Sequence, residues 1–354
     1  MSPTKANSVR PPPPRNSVTI ATVAKRLGLA VCTVSSVLCG KAKQRRINDE
    51  TSRRILEECK RLNYMPNQLA RSLRASRSMM IGVVVADFRN DWAARILDGV
   101  RMSADRHSML PLVLSHEWEP ERERIGFESL MQLRAEAIIT IPLPECVDIY
   151  AMAMQRGVAL VLLGDTLSEM PTVDFVSWAH APAVKTIMRH LISHGARRIA
   201  TLEHRRQTQL TRAYFKTYRE VLDHAGLPFG PDWRMLVSFE HEVEGALRPV
   251  FSAGPKRRPD ALFCTNDGLA FVAVAVLRRM GLRVPEDVMV TGMGDLGKGD
   301  ENGVSLSTVR EPCEEIGRMA VETAMARVAD HTRPPAHIQL PGTEVKSRHT
   351  TQRG

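Results

Sequence analysis

Between Ile20 and Leu62 the apolar positions recur at helical spacing in three short runs. Ile20, Val23, Ala24 and Leu27 fall at i, i+3, i+4 and i+7, with Thr19 placed to cap that helix and Gly28 to stop it. The stretch L-G-L-A-V-C-T-V-S-S-V-L-C-G at 27–40 supplies a second helix after a tight turn. Asn48 caps a third, whose apolar stripe is Ile55, Leu56, Cys59 and Leu62. Pro66 then interrupts the pattern ahead of N-Q-L-A-R-S-L-R. From Met79 the rhythm changes. Apolar runs of strand length (I-G-V-V-V-A, L-P-L-V-L, A-I-I-T-I, V-A-L-V-L-L, R-I-A-T-L, M-L-V-S-F, A-L-F-C-T, V-M-V-T-G) alternate with amphipathic stretches such as W-A-A-R-I-L-D-G-V-R-M and A-F-V-A-V-A-V-L-R-R-M. Strands that are apolar throughout indicate parallel sheets covered on both faces, and this much chain exceeds one such sheet. The pattern therefore predicts a multidomain protein: an all-α head, then a two-lobed α/β core with a cleft.

Charge sharpens that division. Residues 1–80 carry 16 Lys and Arg against 4 Asp and Glu, whereas the remainder carries 33 against 35. A basic head on a near-neutral body points to a polyanion, with nucleic acid the first candidate. An anionic membrane would call for a basic helix with a Trp, Phe or Leu face, and residues 1–80 contain no Trp or Phe. No apolar run approaches the ~18 residues of a membrane span, and the first fifteen residues carry charge and proline in place of an apolar leader, so a cytoplasmic protein is expected. The six cysteines are scattered without C-x-x-C spacing, which predicts reduced, small apolar side chains and neither a disulfide framework nor a zinc site.

One short helix within the basic head has no charge at all. On a helix over 31–39, Val34, Val37 and Leu38 share one face, and Cys32, Ser35, Ser36 and Cys39 share the opposite one. Two helices joined by the L-G-L-A turn fit a helix-turn-helix, where a face of small groups lets the second helix lie close to base edges in the major groove. Cations come from its surroundings: Lys25, Arg26, Lys41, Lys43, Arg45 and Arg46. Taken alone, the pattern equally fits a solvated helical hairpin in a small bundle.

The residues themselves carry a resemblance. V-T-I-A-T-V-A-K-R-L-G-L-A-V-C-T-V-S-S-V-L-C-G, followed by D-E-T-S-R-R-I-L-E-E-C-K-R-L-N-Y-M-P-N-Q-L-A-R-S-L-R-A-S-R-S-M-M-I-G-V-V-V, resembles the amino-terminal domain, hinge helix and first core strand of the lactose-repressor family. D-A-L-F-C-T-N-D-G-L-A, G-L-R-V-P-E-D-V-M-V-T-G and S-T-V-R-E-P-C-E-E-I-G-R-M-A extend it, so that it covers roughly residues 18 to 345. The resemblance implies a periplasmic-binding-protein-like core, no enzymatic activity, and a homodimer whose two heads bind double-stranded DNA at a pseudo-palindromic operator. It implies DNA contacts at Thr19, Val31, Cys32, Thr33, Ser35 and Ser36, and a hinge helix over 67–74 contributing Asn67, Ala70, Arg71, Leu73 and Arg74. Leu73 stands at the position that wedges into the minor groove.

The chain departs from the family pattern in the head. Ser36 replaces an arginine that reads guanine in many relatives, and Val31 and Cys32 occupy two specificity positions; none can make a bidentate base contact. Ala30 stands where a serine would cap, a loss of about 1 kcal/mol. The loop G-K-A-K-Q-R-R-I-N is longer than usual and strongly basic, so Arg45 and Arg46 are expected to take over contacts.

In the core the resemblance implies a small effector in the cleft, near Asp91, Trp92, Arg212, Tyr214, Asp267 and Asp295. Asp267 matches a sugar-binding aspartate, though a helix cap explains it as well, and Trp92 matches an aromatic at the cleft mouth. The family's effector arginine aligns with Tyr214, while Arg212 lies two positions earlier, on a different face of a helix. A neutral sugar or polyol is the expected ligand. G-M-G-D-L-G at 292–297 spells a dinucleotide fingerprint but runs into K-G-D-E-N-G in place of a helix, and His190 and His194 lack a zinc protease's glutamate, so no cofactor or metal is expected. Of the alternatives, an α/β enzyme with a basic appendage would need a G-x-S-x-G, a phosphate-binding loop or a catalytic pair that the sequence does not offer, and a solute-binding protein would carry a signal segment and no basic head. The expected organisation is a disordered basic tail (1–17), helix-turn-helix domain (18–66), hinge and linker (67–78), two-lobed core (79–345) and a tail (346–354). Without leucine heptads after Asp330, a dimer is the default.

Overall fold

The computed structural model describes residues 18–38, 40–64, 77–88, 91–164, 166–206, 208–296 and 303–353. Two compact units divide the chain, residues 1–77 and 78–354.

In the first unit, helices α1 (Ile20–Leu27), α2 (Val31–Leu38) and α3 (Asp49–Arg61) enclose a core of Val23, Ala24, Val34, Val37, Ile55 and Cys59. Local chemistry sets the helix ends. Thr19 and Thr22 cap each other reciprocally, each side chain accepting from the other's backbone N–H at 3.3 Å, and Gly28 ends α1 at φ 65°, a backbone geometry that suits glycine. Asn48 accepts from the Thr51 N–H at 2.7 Å. Helices α1 and α2 meet at 114°. On α3, Leu56 is 48% exposed, contrary to the expected stripe. The inward positions are 55, 58, 59 and 62, and Glu58 fits there because Arg61 grips both its oxygens at 2.7 Å. Those bonds, ahead of the Arg61 and Arg26 charges, hold the Glu58 carboxyl below its usual range.

The second unit contains two six-stranded sheets of the same strand order. One lobe holds β2-β1-β3-β4-β5-β11, with β1 at Met80–Val85, β2 at Leu110–Ser115, β3 at Ala137–Thr140, β4 at Ala159–Leu163, β5 at Asp174–Trp178 and β11 at His337–Leu340. The other holds β7-β6-β8-β9-β10-β12, with β6 at Ile199–His204, β7 at Arg234–Val237, β8 at Ala261–Cys264, β9 at Met289–Gly294, β10 at Ser307–Arg310 and β12 at Val345–Lys346. All pairs are parallel except β10 with β12. The helices are α4 (Asp91–Arg106), α5 (Pro120–Gln132), α6 (Val147–Gln155), α7 (His180–Ser193), α8 (Gln209–His224), α9 (Val243–Phe251), α10 (Asp267–Arg279) and α11 (Cys313–Ala329). Among the described residues no single helix is long and apolar enough to cross a membrane.

The chain crosses between lobes three times: from β5 to α7, from β10 to α11 and from β11 to β12. These crossings touch. A Cβ on Gly342 would lie 2.7 Å from the Trp178 ring and 3.0 Å from Pro312 Cδ, so glycine is required where all three meet. After the second crossing α11 returns to the first lobe and packs backbone to backbone on α4, where a Cβ on Gly317 would meet the Ile96 carbonyl at 2.0 Å and one on Gly99 the Glu314 carbonyl at 1.9 Å.

The expected tail at 346–354 is a correction. Lys346 belongs to β12, and Thr350 and Thr351 are fully buried. Their hydroxyls satisfy the β10 edge: Ser307 N–H donates to Thr350 at 2.8 Å, and the Ser307 and Thr351 hydroxyls lie 2.7 Å apart. His190, one of the paired histidines, meets the Thr351 hydroxyl at 2.8 Å.

Candidate nucleic-acid interface and effector site

In the head, α2 turns Val34 and Val37 inward and leaves Val31 and Cys32 exposed, with Thr33, Ser35 and Ser36 half-buried. The Ser36 hydroxyl donates to the Cys32 carbonyl at 2.8 Å, one turn earlier, so it lies along the helix. Thr19 is exposed beside the start of α1. The 41–47 loop is a run of tight turns: Lys41 N–H donates to Ser36 at 2.8 Å, Arg45 N–H to Lys41 at 3.1 Å and Ile47 N–H to Ala42 at 2.9 Å. Ala42 and Ile47 pack on the head core while Lys43, Arg45 and Arg46 stay exposed, Arg46 at φ 54°. Lys25, Lys41, Lys43, Arg45 and Arg46 make no pair with a carboxylate among the described residues. Cys39 and the hinge positions Asn67, Ala70, Arg71, Leu73 and Arg74 lie outside the described residues.

In the core, Asp91 and Trp92 follow β1, Asp267 follows β8 and Asp295 follows β9, at the carboxyl ends of the strands, where open parallel sheets place their ligands. Asp267 opens α10 but does not cap it, since Asn266 accepts the Leu269 N–H at 2.8 Å. The Asp267 carboxyl is 2% exposed and takes the Thr308 hydroxyl at 2.6 Å and the Leu296 N–H at 2.8 Å. Burial pushes its pKa up to about 6 against those two bonds. Gly292 and Gly294 now have a structural cause: a Cβ on Gly292 would lie 2.1 Å from Asp267 Oδ1, and Gly294 turns at φ 131°. Asp295, at φ 54°, accepts from Arg348 at 2.6 Å.

Trp92, half-buried on the first turn of α4 beside exposed Asp91, donates its indole N–H to Glu311 in the second crossing. Burial raises the Glu311 carboxyl to about 8, opposed mainly by that indole. Arg95, one turn along, holds Glu314 at 2.9 Å and donates to the Gly294 and Asp295 carbonyls at 3.2 and 3.0 Å, tying α4 to the end of β9. Sequence reasoning missed both Arg95 and Glu311. Their only signal was position, Arg95 one helical turn beyond Trp92 and Glu311 immediately before Pro312.

Tyr214 and Arg212 separate onto different faces of α8. Arg212 is exposed, its Nε donating to the Thr208 carbonyl at 3.3 Å. Tyr214 is buried, 3.0 Å from His180 Nδ1, while His180 Nε2 lies 2.9 Å from the Ser177 hydroxyl, which donates to the Gly164 carbonyl at 2.9 Å. Burial lowers His180 to about 3, so the imidazole is neutral. With Ser177 committed to Gly164, Nε2 carries the proton and Nδ1 accepts from tyrosine. The hydrogen bonds run from α8 through the first crossing to the end of β4, where a Cβ on Gly164 would lie 3.9 Å from the Trp92 ring. Phe88, Trp118 and Phe239 are 56%, 42% and 63% exposed, in loops following β1, β2 and β7.

Residues 188–351 match a family described as a periplasmic binding protein-like domain. The chain is 26% identical over 324 residues to the HTH-type transcriptional repressor PurR of Aliivibrio fischeri strain MJ11, covering 88% of this chain and 92% of that one. It is 28% identical over 344 residues to the HTH-type transcriptional regulator PtxS of Pseudomonas aeruginosa, covering 97% and 98%. Among solved structures it is similar to a lac repressor dimer bound to operator and the anti-inducer ONPF, with TM-score 0.80, 20% identity and coverage of 95% and 99%. It is also similar to a transcriptional regulator CelR–cellobiose complex, with TM-score 0.69, 24% identity and coverage of 94% and 99%.

Proposed function

Because the chain belongs to the lactose-repressor family of DNA-binding transcriptional regulators and is not an enzyme, we propose that it is a cytoplasmic, homodimeric repressor controlled by a neutral sugar or polyol. The carrying observation is the uncharged, partly exposed face of α2 flanked by cations without carboxylate partners among the described residues. Such a face approaches base edges while Lys41, Lys43, Arg45 and Arg46 meet phosphates. Direct readout by Val31, Cys32 and Ser36 is weak, so Leu73 and its neighbours Asn67, Ala70, Arg71 and Arg74 contribute specificity by bending the operator at its centre.

Self-association is supported by β2. It is an edge strand of its sheet, and it leaves Leu110 and Val113 exposed.

The effector reading is supported by charge compensation at the cleft floor, where Asp267, Asp295 and Glu311 each have internal partners. The amino terminus of α10 already faces its own carboxyl group, which disfavours an anionic ligand. Trp92 is the stacking surface, and Asp267 takes effector hydroxyls by exchanging its bonds to Thr308 and Leu296. Asp91, Arg212 and Asp295 border the site, while Tyr214 acts through His180.

Selection of bound duplexes from a random pool tests the operator reading; recovery without a shared, pseudo-palindromic sequence refutes it. Leu73→Ala is expected to cost specific affinity a few kcal/mol while sparing most nonspecific binding. Calorimetry of wild type and Asp267→Ala with neutral sugars and sugar phosphates tests the ligand; exclusive binding of a phosphorylated sugar refutes the neutral class.

A further inference from the structure

The loop after β2 has two consecutive residues in the left-handed region, Glu117 at φ 48° and Trp118 at φ 63°. Non-glycine residues persist there when their surroundings hold them. The holding group is His116, fully buried, whose Nε2 donates to the Ile141 carbonyl at 3.1 Å and whose Nδ1 accepts the Trp118 N–H at 3.0 Å. Burial lowers His116 to about 4, so the ring stays neutral and Nδ1 stays an acceptor above that pH. Glu117 is drawn outward by Arg122 at 2.7 Å. The outcome is an exposed tryptophan standing edge-on to His116, with ring centres 5.7 Å apart.

Arg206, just after β6 in the other lobe, faces this loop. Its Nη2 lies 3.2 and 3.3 Å from the two Glu145 oxygens, its Nη1 3.4 Å from the Trp118 carbonyl, and its guanidinium carbon 5.4 Å from the Trp118 ring centre. Glu145 follows β3 and Trp118 follows β2, on the side of their sheet away from β5 and β11. The three crossings leave from β5, β10 and β11, so the Arg206 contacts bridge the lobes at the end of the cleft opposite the hinge.

We propose that Arg206 is a latch residue that holds the two lobes together across the cleft mouth by gripping Glu145 and Trp118. A contact far from a hinge has the longest lever arm over opening. An exposed ion pair is also weak enough to release, so the latch biases the open and closed populations without locking either. Where the cleft takes an effector, as read above, the latch sets how readily that molecule enters and leaves. His116 is a positioning residue that presents Trp118 to the other lobe.

Hydrogen exchange of the full chain, without effector or DNA, tests this. Arg206→Ala and Glu145→Gln are each expected to speed amide exchange at 116–119 and at 294–296 on the cleft floor, on the order of three- to tenfold. The reciprocal exchange Arg206→Glu with Glu145→Arg is expected to restore protection. Faster exchange confined to 116–119 means loop fraying without lobe opening and overturns the latch, as does wild-type exchange in both single variants. Failure of the swap to recover protection overturns its ionic basis. If Arg206→Ala does not fold by circular dichroism, Glu145→Gln alone decides. A refuted latch leaves the effector reading intact, and a failed sugar titration leaves the latch intact.

Discussion

The head and the core use their functional side chains in opposite ways. On α2 and the 41–47 loop the proposed DNA-facing groups are exposed or half-buried, and the loop cations have no carboxylate partner among the described residues, so duplex competes mainly with water and counterions. In the core, Asp267, Trp92, Tyr214 and Asp295 are already bonded to Thr308, Glu311, His180 and Arg348. A ligand there must displace or redirect internal partners. The contrast separates a surface that binds from a site whose binding is inseparable from rearrangement, which is what a switch requires.

The sharpest way to break the comparison is to unfold one side alone. Ile55→Ala empties the centre of a very small core and is expected to cost the head about 2–5 kcal/mol, most of what so small a unit has. Duplex binding should vanish while the urea transition of the core stays in place; retained duplex binding would deny the head its role. Next comes titration of the core. Glu311 at about 8 and Asp267 at about 6 keep protons in the folded state that the unfolded chain releases above its ordinary carboxyl range. The contribution of these two groups to core stability should therefore fall as pH climbs from about 4.5 toward 8, against the opposite contribution of the buried neutral His116 and His180. Glu311→Gln retains an acceptor for the Trp92 indole but removes the titration. It should stabilise the core by roughly 2–4 kcal/mol at pH 8.5 and hardly at all at pH 4, read from denaturant midpoints. An unchanged pH profile would contradict the buried acid.

Smaller still is the loop. If Arg45 and Arg46 each neutralise a phosphate, their double change to alanine should flatten the slope of log affinity against log salt by about 1.8, from a steep wild-type value; an unaltered slope ends the compensation idea. The least effect is expected from Ser36→Ala, within about 0.5 kcal/mol for both folding and duplex affinity, since its hydroxyl is spent on the Cys32 carbonyl.

What could be read from sequence follows the range of the interactions involved. Thr19, Gly28 and Asn48 act within one turn of their helices, and all three ends stand where local chemistry puts them. The continuously apolar strands were equally plain. Leu56 misled because it adjoins Ile55, and two neighbouring apolar residues leave the centre of a helical stripe ambiguous until Glu58 finds Arg61. Strands β5, β10, β11 and β12 carry polar residues whose partners are remote: Asp174 opens β5 fully buried only because Arg327 meets it with two bonds of 2.9 Å. The cleft assembles in the same way, with 219 positions separating Trp92 from Glu311 and 61 separating Arg206 from Glu145. No local pattern encodes such pairs.

The return of α11 to the first lobe has a consequence for biosynthesis. Strands β1 to β5 and helix α4 emerge early, yet Ile96 and Gly99 receive their partners Gly317 and Glu314 only after strands β6 to β10 of the second lobe have been translated. At the usual ribosomal pace of roughly 5–20 residues per second, the ~200 residues between α4 and α11 leave that apolar helix face uncovered for about 10 to 40 seconds. The head, whose contacts span less than fifty residues, can fold as soon as it clears the ribosome exit tunnel. Nascent chains are thus expected to be most vulnerable to aggregation and chaperone capture when the first lobe is out and α11 is not.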